Sequence, residues 1–445
     1  MSRKPAFTLI RPDCAGIDLG SCEHYVAVPE DRCVEEVRTF GCFTCDLLMM
    51  GQWLLDLGIR DVAMEATGVY WIPVYESLSS RGLRVTLVDG RSAKALPGRK
   101  TDVQDSQWIR DLHMHGLLKA CVVPDAQILV LRSYWRERER LIQSRAEQIQ
   151  LMQKALEQMN VQIHKVLSDI SGVSGQSIIR AILAGERNPK ALSSLLVGAA
   201  NKKQAQVEKA LEGNWADHHL FALEGAVSTY DFLSTRLLMC DRRLDEAMSE
   251  LSGIPPGSPR RPRASKNEPE FNLQTHLTQL LGQDATAIDG LDVTTIATAV
   301  SELGPDLSRF RTKKHFTSYL GLCSVNKITG GNIKSSRTRR VTHRLANAFR
   351  MAAQSVHSSR SALGAFHRRL KARIGPAKAT TATARKLAEM YYTMVVEGKP
   401  FQDPGEEAYN ERFKQQRIRA LTKQASRLGF QLVEVPQAPP LHAFS

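Results

Sequence analysis

The sequence predicts three parts: an α/β domain at the N-terminus, a coiled-coil helical middle and a mostly α C-terminal domain. Three observations carry that prediction. From about residue 15 to 124, short apolar runs alternate with helical patterns. Apolar residues then recur at heptad spacing over two long segments. Finally, the stretch between Asp306 and Glu389 holds nineteen Lys and Arg and no acidic residue.

With 445 residues the chain exceeds one ordinary core, so several domains are expected. The first spans residues 10–125. Ala15-Gly16-Ile17-Asp18 reads as the end of a strand and Tyr25-Val26-Ala27-Val28 as its hairpin partner. Val62-Ala63-Met64 and residues 83–88 (LRVTLV) read as two further strands. Helical patterns near 47–57 and 70–81 lie between them, which makes a mixed sheet with crossover helices. Residues 126–251 form the long-helix region. Ile142, Ile149, Met152, Leu156, Met159, Ile163 and Val166 make one seam, and Leu223, Val227, Tyr230, Leu237, Leu244, Met248 and Leu251 make another. The two can pair as an antiparallel hairpin within one chain or between chains, and a packed helical core gives the same pattern. Residues 252–270 (SGIPPGSPRRPRASKNEPE) read as a linker or extended arm. A basic helical domain covers 271–400, and a tail over 401–445 contains an amphipathic helix near 408–428.

Composition narrows the function. A net charge of +14 points to a polyanionic partner, and the acid-free block locates it. A solvated basic surface is the plainer reading, but such surfaces normally mix signs. No run of about 18 apolar residues exists, so no membrane span is expected. The N-terminus lacks the apolar core of a signal peptide. The eight cysteines are scattered. Cys42 and Cys45 form a single C-x-x-C, and without a second pair they predict reduced thiols rather than zinc, hence a cytoplasmic protein.

Four acids stand out. Asp18 in GIDLG ends an apolar strand, and Glu65 in VAMEATGVYW ends another. Asp102 and Asp105 in KTDVQD are three apart, on one helix face, with Thr101 as a plausible N-cap. Read singly, they are a turn aspartate, a solvated strand end and two capping acids. Together they are carboxylates whose mutual repulsion requires cations, and hard oxygen donors suit Mg²⁺. Two such ions can serve a phosphodiester reaction. A glycine-turned segment, Ile288-Asp289-Gly290-Leu291-Asp292-Val293, resembles a helix-hairpin-helix whose helix N-terminus can hold a phosphate, or is a plain turn. Further on, Asn326-Lys327-Ile328-Thr329-Gly330-Gly331-Asn332 and Lys334-Ser335-Ser336-Arg337-Thr338-Arg339-Arg340 place hydroxyls beside a double glycine and a basic cluster, with Arg344 following. A hydroxyl nucleophile attacking phosphate needs such close approach and such cations. A basic loop that only grips nucleic acid fits the same residues.

GIDLG, MEATGVYW, GRKTDVQD, PRRPR, DGLDV, HFTSYLGLC, the double glycine with SSRTRR, and ATTATARKLAEMYY together resemble the DEDD-type insertion-sequence transposases. The resemblance runs through nearly the whole chain. It implies an RNase H/RuvC-like N-terminal domain, with Asp18, Glu65, Asp102 and Asp105 as Mg²⁺ ligands and catalytic acids. It also implies a C-terminal serine-transposase domain whose nucleophile falls at Thr329, with Lys327, Lys334, Arg337, Arg339, Arg340 and Arg344 on nucleic acid. The implied partners are donor and target DNA, an element-encoded guide (bridge) RNA and further copies of the chain, as a dimer or tetramer. One departure stands out: the family usually has serine where this chain has Thr329, and the β-methyl restricts χ1. Two other readings stay open, a metal-dependent structure-specific nuclease and a nucleic-acid-binding relative without strand transfer.

Overall fold

The computed structural model describes residues 9–66, 68–88, 90, 101–258, 265–339 and 343–433. The chain divides into two units, Met1–Val123 and Pro124–Ser445.

The first unit is built on five strands, β1 (Cys14–Leu19), β2 (Glu23–Ala27), β3 (Val37–Gly41), β4 (Asp61–Glu65) and β5 (Arg84–Val88), in the order β3-β2-β1-β4-β5. β1, β2 and β3 are antiparallel neighbours, while β4 runs parallel to β1 and β5 parallel to β4. This mixed sheet is consistent with a RuvC/RNase H-like α/β domain. Helix α1 (Thr44–Asp56) links β3 to β4, α2 (Trp71–Ser80) precedes β5, and α3 (Asp102–Met114) follows it.

Strand alternation sorts the side chains of β1 onto two faces. Ala15, Ile17 and Leu19 join Val62 and Met64 of β4 in a core with Met50 and Leu54 of α1 and Val74 and Leu78 of α2. Cys14, Gly16 and Asp18 point the other way, toward α3. The close approach there depends on Gly16: a Cβ would stand 2.2 Å from the Arg110 amide nitrogen and 2.4 Å from the Ser106 carbonyl. Because β1 is central and covered on both sides, it reads in sequence as a nearly continuous apolar run. The edge strand β3 goes unpredicted. Of its residues Val-Arg-Thr-Phe-Gly only Phe40 is buried, which leaves too little alternation to recognise.

The second unit is helical. Helix α4 (Ala126–Gln158) is followed by α5 (Ile163–Val166), α6 (Val173–Leu183), α7 (Pro189–Ser193) and α8 (Gln204–Ala210), and then by the long α9 (Asp217–Ser252). The two long helices pack antiparallel within one chain. Arg138 meets Asp241 at 2.6 Å, the Cys240 thiol reaches the Tyr134 carbonyl, and Arg145 lies over the Tyr230 ring. The seam read from the sequence is interrupted, because α4 ends at Gln158 and Asn160 turns the chain with φ 57°. Met159 and Ile163 instead enter a local core with Met152, Leu156, Ile178, Ile182 and Leu223.

The segment expected to be an extended arm is tied down on both sides of residues 259–264. The Gly257 amide donates to Asp245 Oδ2 (2.8 Å), the Glu270 amide to Asp241 Oδ2 (2.9 Å), and Lys266 pairs with Asp169 (2.8 Å). Carboxylates on α9 thus satisfy loop amides that would otherwise need water. The PRRPR motif itself lies outside the described residues.

The remaining helices are α10 (Leu273–Leu281), α11 (Val293–Leu303), α12 (Lys313–Tyr319), α13 (Arg344–Ser355), α14 (Ala362–Ile374), α15 (Pro376–Glu397) and α16 (Gly405–Arg427). A hairpin of β6 (Lys327–Thr329) and β7 (Asn332–Ser335) separates α12 from α13. Helix α11 docks on α4. Trp135 Nε1 donates to Thr298 Oγ1 (3.0 Å), and Arg136 grips Glu302 through two nitrogens (2.8 and 2.7 Å). Among the described residues no helix is long and apolar enough to cross a membrane.

Candidate functional site

In the first unit the β1–β4 register brings Asp18 and Glu65 to one end of the sheet. Ile17 pairs with Met64 across parallel β1 and β4, so Asp18 and Glu65 occupy the next, register-matched positions. Aligned residues on neighbouring strands, about 4.8 Å apart, point to the same face. That face is the one α3 covers. Thr101 caps α3, its hydroxyl accepting from the Gln104 amide (3.3 Å), as the sequence predicts. Asp102 and Asp105 fall in the first turn. Asp102 shares a helical stripe with Ser106 and Arg110, the residues that sit over Gly16.

Tyr25 reports the charge at this end. It is the cross-strand partner of Asp18, and its hydroxyl donates to Glu23 Oε2 (3.2 Å). That hydrogen bond and the charge of Glu23 raise its pKa above the ordinary tyrosine value. Burial adds to this, and so do Asp102 and Asp18. The close approach of Gly16 to the Ser106 carbonyl and the Arg110 amide sets α3 against β1. Glu23 and Tyr25 are therefore neighbours of the candidate site that sequence reading missed. They carry no motif, and only the β1–β2 register marks them. Gly90 lies close over Glu65, where a Cβ would stand 2.0 Å from Oε1.

Asp18, Glu65 and Asp105 are half-buried, and Asp102 is exposed. Carboxylate oxygens in this number are the donor set of a hard divalent cation. Among the described residues no three His, Cys, Asp or Glu side chains are grouped so as to hold a metal ion. The fit thus rests on donor chemistry and backbone placement. The described residues include all eight cysteines, and none of them is in a disulfide; Cys42 and Cys45 are exposed.

In the second unit, Thr329 ends β6 and pairs with Asn332 across Gly330 and Gly331. Both glycines have positive φ (56° and 77°), as the two-residue turn of a tight hairpin requires. The double glycine is therefore the tip of an ordered hairpin, and the Thr329 side chain is exposed there. Beneath it the Val325 amide donates to the Arg337 carbonyl (2.9 Å), extending the paired segment.

The expected cations divide by role. Lys334 and Arg337 are exposed, and neither makes an ion pair among the described residues. The Arg339 guanidinium donates to the Ser318 carbonyl. Arg344 pairs with Glu139 of α4 at 2.7 Å. Arg340 and the Lys327 side chain lie outside the described residues.

The Gly290 turn is packed rather than open. A Cβ at Gly290 would stand 2.4 Å from Val356 Cγ1, and Asp292 caps α11 by accepting from the Thr295 amide (2.7 Å). The helix start that could hold a phosphate already has its own carboxylate.

A mixed sheet with acids in register at its end, followed by a basic helical block, is consistent with a nucleic-acid-processing class of protein. The comparisons narrow the class. Residues 15–161 match a family model described as Transposase, and residues 283–368 match one described as Transposase IS116/IS110/IS902 family. Together these matches support an IS110-type transposase, an enzyme that cuts and joins DNA. The first spans β1 through α4, and with them all four acids. The second spans α11 through the hairpin to α14. No curated protein matches the chain.

Proposed function

We propose that the chain cuts and rejoins DNA during movement of an insertion sequence, with Asp18, Glu65, Asp102 and Asp105 holding divalent cations, Mg²⁺ by donor type, and Thr329 as nucleophile. A guide RNA and a dimeric or tetrameric assembly belong to the same proposal. The observation that supports it best is the register of Asp18 with Glu65 beneath the helix that begins at Asp102.

When bound, the cations supply charge neutralisation and activation of oxygen at the phosphodiester. The chain's own residues do the rest. Asp18 and Glu65 are fixed by the β1–β4 ladder, and Asp102 and Asp105 by the first turn of α3. Thr329 Oγ1 attacks phosphorus and loses its proton, the bond from phosphorus to the leaving sugar oxygen breaks, that oxygen takes up a proton, and a phosphothreonyl ester forms. Attack by a sugar hydroxyl of the second strand reverses the step and releases Thr329. Lys334 and Arg337 stabilise the charge that develops on the phosphate oxygens, and the glycine tip lets the DNA backbone come close.

Asp102→Ala and Asp105→Ala are expected to abolish cleavage of element-end DNA in the presence of Mg²⁺, with circular dichroism and melting temperature nearly unchanged. Exposed Asp102 should contribute within about 0.5 kcal/mol to stability, and the melting comparison checks half-buried Asp105 in the same way. Cleavage near the wild-type rate in either variant would remove that acid from the site.

A further inference from the structure

We propose that the C-terminal block carries a pocket for one unpaired nucleotide, where the start of α12, the last turns of α15 and residues 399–402 meet. The proposal rests on the nucleic-acid reading above and adds a place where a single base is held.

The cavity measures about 270 Å³. Pockets for drug-sized molecules begin at about 300 Å³, so this one accepts a flat ring and excludes a duplex. Met390, Met394 and Phe401 contribute apolar lining, and Lys313, Lys386 and Lys399 bring positive charge. Met394 is 3% exposed, so packing fixes that part of the lining.

Charge accounting leaves the pocket positive. Glu389, the acid in the lining, is paired with Arg385 (2.9 Å), and Lys399 is paired with Glu397 (3.1 Å). Lys313 and Lys386 make no ion pair among the described residues. Both lie in the stretch without acids.

This combination selects a ligand chemistry. An inorganic anion has no use for two thioethers and a phenyl ring. An uncharged apolar molecule has no use for the ammonium groups of Lys313 and Lys386. A nucleotide uses both, because its base stacks on aromatic and sulfur-bearing side chains while its phosphate meets the lysines. Stacking tolerates any base, so the pocket reads the presence of an unpaired nucleotide rather than its identity.

The test uses the full-length protein with single-stranded DNA and, separately, single-stranded RNA oligonucleotides carrying one 5-iodouracil. After irradiation and proteolysis, mass spectrometry is expected to find the adduct on Phe401, Met390 or Met394. The arm that crosslinks identifies DNA or RNA as the source. Lys313→Glu with Lys386→Glu should lower affinity about tenfold or more and abolish the adduct. Phe401→Ala should lose the adduct and about tenfold in affinity while keeping the salt dependence, since no charge is removed. Adducts confined to other peptides, or unchanged adduct yield and affinity in these variants, would overturn the pocket. If oligonucleotide binding stays tight and salt-dependent in that case, the enzyme reading survives. A protein that binds neither oligonucleotide overturns the pocket alone, and cleavage of element-end DNA then judges the enzyme reading separately.

Discussion

At Gly16 the absence of one methyl decides how closely α3 approaches the sheet. Any side chain there would press into the backbone of Ser106 and Arg110, and the displaced helix would carry Asp102 away from Asp18. At Thr329 the methyl is present and the question is chemical. A β-branched side chain has fewer χ1 states than serine, yet its hydroxyl is the same nucleophile, and the hairpin tip leaves it exposed. Thr329→Ser is therefore expected to retain the covalent protein–DNA adduct, and Thr329→Ala to lose both adduct and recombination. Trapping on a denaturing gel, with mapping of the linked peptide, decides the matter. An adduct on Ser335 or Ser324 would move the nucleophile, and cutting without any adduct would favour a hydrolytic nuclease.

At the scale of elements, α3 has two tasks. Its first turn carries Asp102 and Asp105, and its inner face anchors it to the sheet. Arg110 is buried and donates to the Val28 carbonyl (2.6 Å) and to Glu36 (3.1 Å). His113, one turn on, is 1% exposed, and neither ring nitrogen has a hydrogen-bond partner among the described residues. Burial, and after it the charge of Arg11, push its pKa down to about 4 against the opposing charge of Asp61. The unfolded chain takes up this proton near pH 6.5, the folded one only near 4. The stabilisation is therefore complete above pH 6.5 and is lost as pH falls toward 4, by roughly 3 kcal/mol in all. Chemical denaturation of the wild type and His113→Leu at pH 7.5 and 4.5 should show a smaller acid loss in the variant. Equal losses would mean that His113 is accessible to protons in the folded state.

Across the whole molecule the excess positive charge is not all available to a partner. Arg344 and Arg385 are paired with acids, Arg368 pairs with Glu406, and Arg369 lies over Phe413 at 3.5 Å from the ring centre. Arg344, Arg368 and Arg369 hold helices together, and Arg385 is paired within its own helix. Lys334 and Arg337 on the hairpin have no such task. Replacing both with alanine should weaken DNA binding and flatten the plot of log affinity against log salt by roughly one unit per lost phosphate contact. Arg344→Ala should flatten it far less. An unchanged slope in the double variant, with a flattened one in Arg344→Ala, would move the DNA contact from the hairpin to α13.

The local setting of the candidate residues was legible from residue order alone. Asp18 lies near the end of one apolar strand and Glu65 ends another, Asp102 follows a capping threonine, and Thr329 precedes two glycines. Each is a local pattern governed by backbone preference within a few residues. The basic block was legible because charge adds along the chain whatever the fold. Pairing was not legible, because it joins residues far apart in sequence. Heptad spacing is the same whether a helix meets its own chain or another, and only packing shows that Arg138 meets Asp241 within this one. Glu23 and Tyr25 enter the candidate site through strand register, and Gly290 is spent on contact with Val356 rather than on an open turn. Local sequence determined which groups are present and, for the four acids, which strand or helix carries each. Tertiary structure decided which of them meet, because packing and register are settled by distant partners competing for the same space.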